Sequence, residues 1–327
     1  MENFFERIDV NASLKEISRL ICSKCGIEGY ISSQIIEVGY EDFNFIIETN
    51  KQKYFIKIFN KNRTNEDCSN YMDRIKLSNS IDINAPKIIS FDSIDIEDKN
   101  LKFVILECID GKSFMDLGEI PNETEIKEII RQMANIHKAK LDSEFIYDTW
   151  NITNFTKEFE KKGNTLTEEY YTQFQELSSK LEQVDLSKLP HSFVHGDIIS
   201  SNVIKDKDEK LWIIDFAVSN YLPRIIDLVV TGYNLCQDPN SRENTIKNLK
   251  LIVNEYEKYN KLTDYEKEIM PLFYDIGNAM GILQINYLKQ NNDYSEEDEY
   301  WLKVSEEGLK FGDKGFWNEV FENDIER

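Results

Sequence analysis

Phe193-Val194-His195-Gly196-Asp197-Ile198-Ile199-Ser200-Ser201-Asn202-Val203-Ile204, then a charged turn, then Leu211-Trp212-Ile213-Ile214-Asp215-Phe216: on this stretch the reading of the chain turns. Two apolar runs with Lys205-Asp206-Lys207-Asp208-Glu209-Lys210 between them predict a β-hairpin. Folding it about its tip places Asn202 close to Asp215 near the open end. Asp197 lies a few residues further out, in a loop that begins with Gly196. Local geometry alone thus gathers two carboxylates and one side-chain amide.

That set has a chemical use. Magnesium takes hard oxygen ligands, usually one or two protein groups plus substrate phosphates, and an Asn amide with an Asp carboxylate can supply them. A third carboxylate can accept the proton of an attacking hydroxyl. Kinases place an Asp and an Asn five residues apart in a catalytic loop and a more distal Asp on the metal, and Asp197, Asn202 and Asp215 have that order and step. The plainer alternative is two turn carboxylates and a strand-start Asn. The joint spacing, the apolar run delivering Asp215 and the Gly before Asp197 weigh against it.

Outward from this island the chain changes character. After an amphipathic helix (Leu14, Ile17, Leu20, Ile21), residues up to about 110 read mainly as strands. Ile35 to Val38 is a short apolar run; Phe43, Phe45 and Ile47 alternate, and so do Tyr54, Ile56 and Ile58, with Asn50-Lys51-Gln52 as the turn. A polar helix spans Asn65 to Ser78, Pro86 opens another strand, and Lys102 to Cys108 forms a last one before Asp110-Gly111. Beyond this, Asn122 with Glu125 caps a helix striped by Ile126, Ile129, Ile130, Met133 and His137, and residues 154–184 and 241–290 are helix-like. The expectation is an α+β, protein-kinase-like two-lobe fold. Residues 1–108 would be a small antiparallel β-sheet lobe binding nucleotide, and 109–327 a larger, mainly helical lobe with catalytic loop and substrate-binding helices. On strand alternation, Lys57 shares its face with Phe55 and Phe59, an aromatic, covered side on which a cation wants an anionic partner.

Composition bounds the partners. The 327 residues carry 60 acidic and 39 basic side chains, a formal charge of −21 that repels nucleic acid and anionic bilayers. No apolar run approaches the roughly 18 residues of a membrane span, and the opening Met-Glu-Asn-Phe-Phe-Glu has no basic n-region, so a cytoplasmic protein is expected. Five scattered cysteines suit a reducing compartment; Cys22 and Cys25 form one CxxC with no second pair nearby for zinc.

At these residues the sequence resembles the aminoglycoside phosphotransferase-like superfamily, which includes choline kinases and type II homoserine kinases. His195-Gly196-Asp197 with Asn202, and Ile213-Ile214-Asp215-Phe216, are similar to its two hallmark motifs in order and separation. Gly39 through Phe59 resembles the family's nucleotide-loop hairpin, Met133 to His137 its helix ending in Leu-His, and Pro223 to Leu228 its arginine-plus-Asp-Leu segment. The resemblance implies ATP and Mg as cofactors and transfer of the γ-phosphoryl group to a hydroxyl of a small molecule, in a cleft between lobes. It assigns Asp197 as the base and Asn202 and Asp215 to the metal. Lys57, Gly39 and Asn44 would hold the phosphates. Glu107, Cys108 and Ile109 would meet the adenine edge through their backbone, and Phe55 would line the adenine pocket or simply pack the core. An acid on the Asn65–Ser78 helix would pair with Lys57; of Asp73, Asp67 and Glu66, Asp73 is preferred by its distance from Pro86. His195 would brace the catalytic loop, Asp227 would hold its backbone as a buried acid, and His137 would be a satisfied core histidine. The net charge and the cluster Asp293, Glu296, Glu297, Asp298, Glu299 suit a cationic acceptor, though a solvated helix start explains that cluster as well. An amino-alcohol kinase and a non-catalytic nucleotide-binding protein of kinase fold stay open.

Overall fold

The structure, a computed structural model, describes residues 4–36, 42–140, 144–291, 294–312 and 314–322. The chain divides into two compact units, residues 1–80 with 84–111, and 81–83 with 112–327.

The first unit holds helix α1 (Leu14–Cys25), strands β1 (Tyr30–Ile35), β2 (Phe43–Thr49) and β3 (Lys53–Ile58), helix α2 (Asn65–Ser78), and strands β4 (Ile88–Ile96) and β5 (Lys99–Glu107). The strands form one antiparallel sheet in the order β1-β2-β3-β5-β4. The period-2 pattern decides its faces. Phe43, Phe45, Ile47, Ile56, Ile58, Phe103 and Ile105 are buried together with Ile17 and Ile21 of α1. Burying each such side chain contributes about 1.5–3 kcal/mol. Ser13 and Gly26 cap α1 at its two ends. Register places Lys57 opposite Asn44 on β2 and Val104 on β5. The Lys57 side of β3 meets α2: the Tyr71 ring lies 5.2 Å from that of Phe59.

The second unit contains β6 (Gly111–Ser113, all but its first residue), α3 (Phe114–Leu117), α4 (Glu123–Ile136), α5 (Phe155–Lys162), α6 (Glu168–Leu181), β7 (His191–Val194), β8 (Val203–Asp206), β9 (Leu211–Ile213), β10 (Asn220–Pro223), α7 (Ile225–Val230), α8 (Arg242–Tyr256), α9 (Asp264–Gln290), α10 (Glu296–Phe311) and α11 (Lys314–Phe321). The expected hairpin is β8–β9, with Val203 opposite Ile213. β7 stands apart from it and pairs antiparallel with β10. Helices supply the rest of the core, and α4 starts at the expected Asn122–Glu125 capping box. No helix among the described residues is long and apolar enough to cross a membrane.

Candidate active site

In the second unit the loop from β7 to β8 is fixed by one buried acid. The Asp227 carboxylate, fully buried near the start of α7, accepts from the backbone N–H of His195 (2.8 Å) and Gly196 (2.7 Å) and faces His137 Nε2 at 3.0 Å. Burial alone would raise its pKa; the His137 hydrogen bond, the two histidines and the Gly196 N–H outweigh that and leave it below the ordinary value. His137 is held on its other nitrogen by the Tyr256 hydroxyl at 2.6 Å, so it is a satisfied core histidine. His195 Nδ1 accepts from Asp197 N–H (3.2 Å), which makes Nε2–H the donor to the Ile214 carbonyl (3.1 Å). Burial depresses the His195 pKa, so the ring is neutral at pH 7 and ties the Asp197 backbone to the residue before Asp215. Gly196 sits at φ +85°, a backbone conformation suited to glycine.

This frame brings the three expected residues together. Asn202 Nδ2 donates to the Asp197 carboxylate (2.7 Å) and carbonyl (3.1 Å). The Asn202 carbonyl accepts from Ile214 N–H at 3.0 Å, setting Asn202 beside the segment that leads into Asp215. Asp215 is a non-glycine residue at φ +61°, with an exposed side chain that accepts from Ala217 N–H. Such a conformation recurs at functional sites. With its amide N–H groups turned to Asp197, Asn202 keeps Oδ1 without a partner among the described residues. That oxygen and the Asp215 carboxylate form a hard, all-oxygen donor set, which fits magnesium. Burial, then the charges of Asp148 and Asp215, push the Asp197 carboxyl up to about 8, against the Asn202 hydrogen bond.

Asp148 and Tyr233 are members of this site that the sequence reading missed. Asp148 acts electrostatically on both Asp197 and Tyr233, and burial and the two acids raise the Tyr233 hydroxyl's pKa. The segment carrying Asp148 is pinned residue by residue. The Asn220 side-chain amide exchanges hydrogen bonds with the Ile146 backbone; Tyr147 OH donates to Glu158 (2.6 Å); the Asp148 and Thr149 carbonyls accept from Asn154 and Gln284. No local pattern marks residues 144–151, since every one of these partners is distant in sequence or unpatterned.

In the first unit Lys57 is buried, and its ammonium lies 4.9 Å from the centre of the Tyr71 ring. The acid beside it is Asp42, at 3.7 Å, and not Asp73. Asp73 is turned to solvent on α2 and pairs with Lys76, while Asp67 is occupied by the helix cap at Thr64 and Glu66 is exposed. Asn44 stands directly across from Lys57 with a buried Oδ1 that lacks a partner among the described residues. Phe55 is half-buried at the Ile46 and Leu106 positions of the ladder. Glu107 ends β5 with its N–H on the Lys87 carbonyl, and the Ile109 carbonyl accepts from Gly111 N–H. Gly39 lies outside the described residues, as does Asp293. Asp298 caps α10 through Ser295, so that acid has a structural use.

The sequence model of the phosphotransferase enzyme family matches residues 33–261. The chain belongs to that family. It is thus a phosphotransferase, as the paired motifs imply. No curated protein sequence matches it. Among solved structures, a choline kinase from Streptococcus pneumoniae is similar at a TM-score of 0.61 and 14% identity, over 90% of this chain and 99% of that one. An amicoumacin kinase in complex with AMP-PNP, Ca2+ and Ami gives 0.64 and 15%, over 91% and 96%. A spectinomycin phosphotransferase in complex with ADP and spectinomycin gives 0.58 and 15%, over 95% and 98%. At such identity they establish the fold, and the phosphotransferase's two-part architecture agrees with the α+β, kinase-like expectation.

Proposed function

We propose that this phosphotransferase moves the γ-phosphoryl group of ATP, bound with magnesium, to a hydroxyl of a small molecule that carries a cationic amine. The observation that carries the reading is the joined set Asp197–Asn202–Ile214–Asp215, one carboxylate hydrogen-bonded to an amide whose backbone reaches the residue before a second carboxylate. Asp197 orients the acceptor hydroxyl and takes its proton as the oxygen attacks phosphorus and the bond to the ADP oxygen breaks. Raised to about 8, the ionised Asp197 carboxylate is a stronger base than an ordinary carboxylate. Asn202 Oδ1 and Asp215 would hold magnesium, which when bound neutralises phosphate charge. Lys57 binds the phosphates, with Asn44 opposite it, and Phe55, Glu107 and Ile109 meet the base. Positioning and charge stabilisation supply most of the rate in such transfers.

Asp148 and Tyr233, beside Asp197, favour an amine on the acceptor, and the charge of −21 draws cations toward the molecule. Fold neighbours named as choline, aminopropanol and ethanolamine kinases agree with an amino-alcohol acceptor. An aminoglycoside neighbour in a GDP and kanamycin complex keeps GTP and a drug acceptor as the second reading. All five cysteines are free thiols, which suits a cytoplasmic setting. The test is nucleoside-diphosphate release, with ATP or GTP, across aminoglycosides, choline, ethanolamine, homoserine and methylthioribose. Magnesium-dependent release stimulated by an amine-bearing acceptor is expected. Release that ignores magnesium, or that only methylthioribose stimulates, contradicts the proposal.

A further inference from the structure

The carboxylate at Lys57 comes from the chain just before β2, not from the helix on the same face of the sheet. A lysine whose side chain is 6% exposed needs an anion close by. α2 offers none, for the reasons given above, and turns the Tyr71 ring to Lys57 instead. The Asp42 side chain is 1% exposed and heavily constrained. Its Oδ1 accepts from Asn60 N–H (3.0 Å) and Arg63 Nε (2.8 Å), its Oδ2 from Arg63 Nη2 (3.0 Å), and its backbone carbonyl from Arg7 (2.9 Å). A bidentate guanidinium and a strand-end amide together leave the carboxylate little freedom, so the 3.7 Å approach of Oδ2 to the Lys57 ammonium is set by the fold. Two side-chain cations, Lys57 and Arg63, share this one carboxylate.

We propose that Asp42 is the positioning residue for Lys57, the acid that holds the ammonium ready for nucleotide phosphates, with Arg63 and Asn60 fixing Asp42 in turn. This rests on the nucleotide-binding role of Lys57 proposed above. The sheet supplies the geometry: Phe43 pairs with Ile58 and Asn44 with Lys57, so the residue before Phe43 falls at the end of β3, where Asn60 closes on it.

The test is a four-protein titration by calorimetry with a non-hydrolysable ATP analogue and magnesium, on the full chain, Asp42→Asn, Lys57→Ala and the double variant. Lys57→Ala should weaken binding, and Asp42→Asn should weaken it roughly five- to fifty-fold, the range of coupling between contacting charges. The double variant should bind as Lys57→Ala does, because Asp42 acts only through the ammonium. Unchanged binding by Asp42→Asn, or two effects that multiply, would overturn the proposal, since damage routed through Arg63 persists without Lys57. If Lys57→Ala binds normally, the nucleotide role of Lys57 fails first, and with it the inference. Should Asp42→Asn not fold, Asp42→Glu keeps the charge for Arg63 but displaces it by one methylene, and the same cycle and the same outcomes apply.

Discussion

Asp197 is held at a cost to the fold. Burial and the neighbouring charges of Asp148 and Asp215 lift its carboxyl from the ordinary value near 3.8 to about 8. Between those values the folded chain keeps a proton that the unfolded chain has released, so the native state binds more protons and stability falls as pH rises. The penalty is absent below about pH 4 and complete above about pH 8. Asp197→Asn cannot ionise, yet its amide oxygen can still accept from Asn202. It should therefore be more stable than the parent at pH 8 by on the order of 1–2 kcal/mol, after allowance for partial solvent access, with the gap closing toward pH 4. Urea denaturation at several pH values checks this; a variant less stable than the parent at pH 8 would be inconsistent with the charge assignment. Asp197, Asn202 and Asp215 were legible in sequence because a single hairpin and its flanking loop bring them together. Asp42 was not: the sequence reading looks for the acid on α2, among Glu66, Asp67 and Asp73, and only the packed Tyr71 ring shows what that helix turns to Lys57. Asp148 depends on side chains from α5, α9 and β10, which no local pattern announces.

At the scale of elements, the catalytic loop is built from a strand end, a left-handed glycine and a buried acid. A Cβ at Gly196 would meet Val218 at an ordinary 3.5 Å, so space does not exclude a side chain; the φ of +85° does. Gly196→Ala should cost about 1–2 kcal/mol of stability, measurable by chemical denaturation, and should disturb the N–H that Asp227 accepts. A loss under about 0.3 kcal/mol would show that the loop tolerates another conformation. The hairpin β8–β9 and the strands β2 and β3 followed from period-2 runs around polar turns. β1 did not, because it is an edge strand whose Tyr-Ile-Ser-Ser-Gln-Ile sequence lacks a clean alternation, and its observed span of Tyr30–Ile35 precedes the apolar run at Ile35–Val38. The pairing of β7 with β10 was also hidden, since strand partners distant in sequence leave no joint local signature.

At the scale of the whole molecule, the chain is a family phosphotransferase in two units, one bearing the buried Lys57 cluster and the other the Asp197–Asn202–Asp215 set. The pattern turns from strand-like to helix-like near residue 110, and the first compact unit ends at residue 111. The charge of −21 is a property of the entire surface and bears on which acceptors approach, not on the chemistry of transfer. The central claim is a division of labour, Asp197 for the acceptor and Asp215 for the metal. Calorimetric titration of Asp197→Asn and Asp215→Asn with a magnesium-bound ATP analogue tests it most directly. Asp197→Asn should bind the nucleotide almost as the parent does while kcat falls by about 10²- to 10⁴-fold, the usual contribution of a positioned base. Asp215→Asn should lose nucleotide affinity along with turnover. If Asp197→Asn lost nucleotide binding as severely as Asp215→Asn, the two carboxylates would share one role and the division would be wrong.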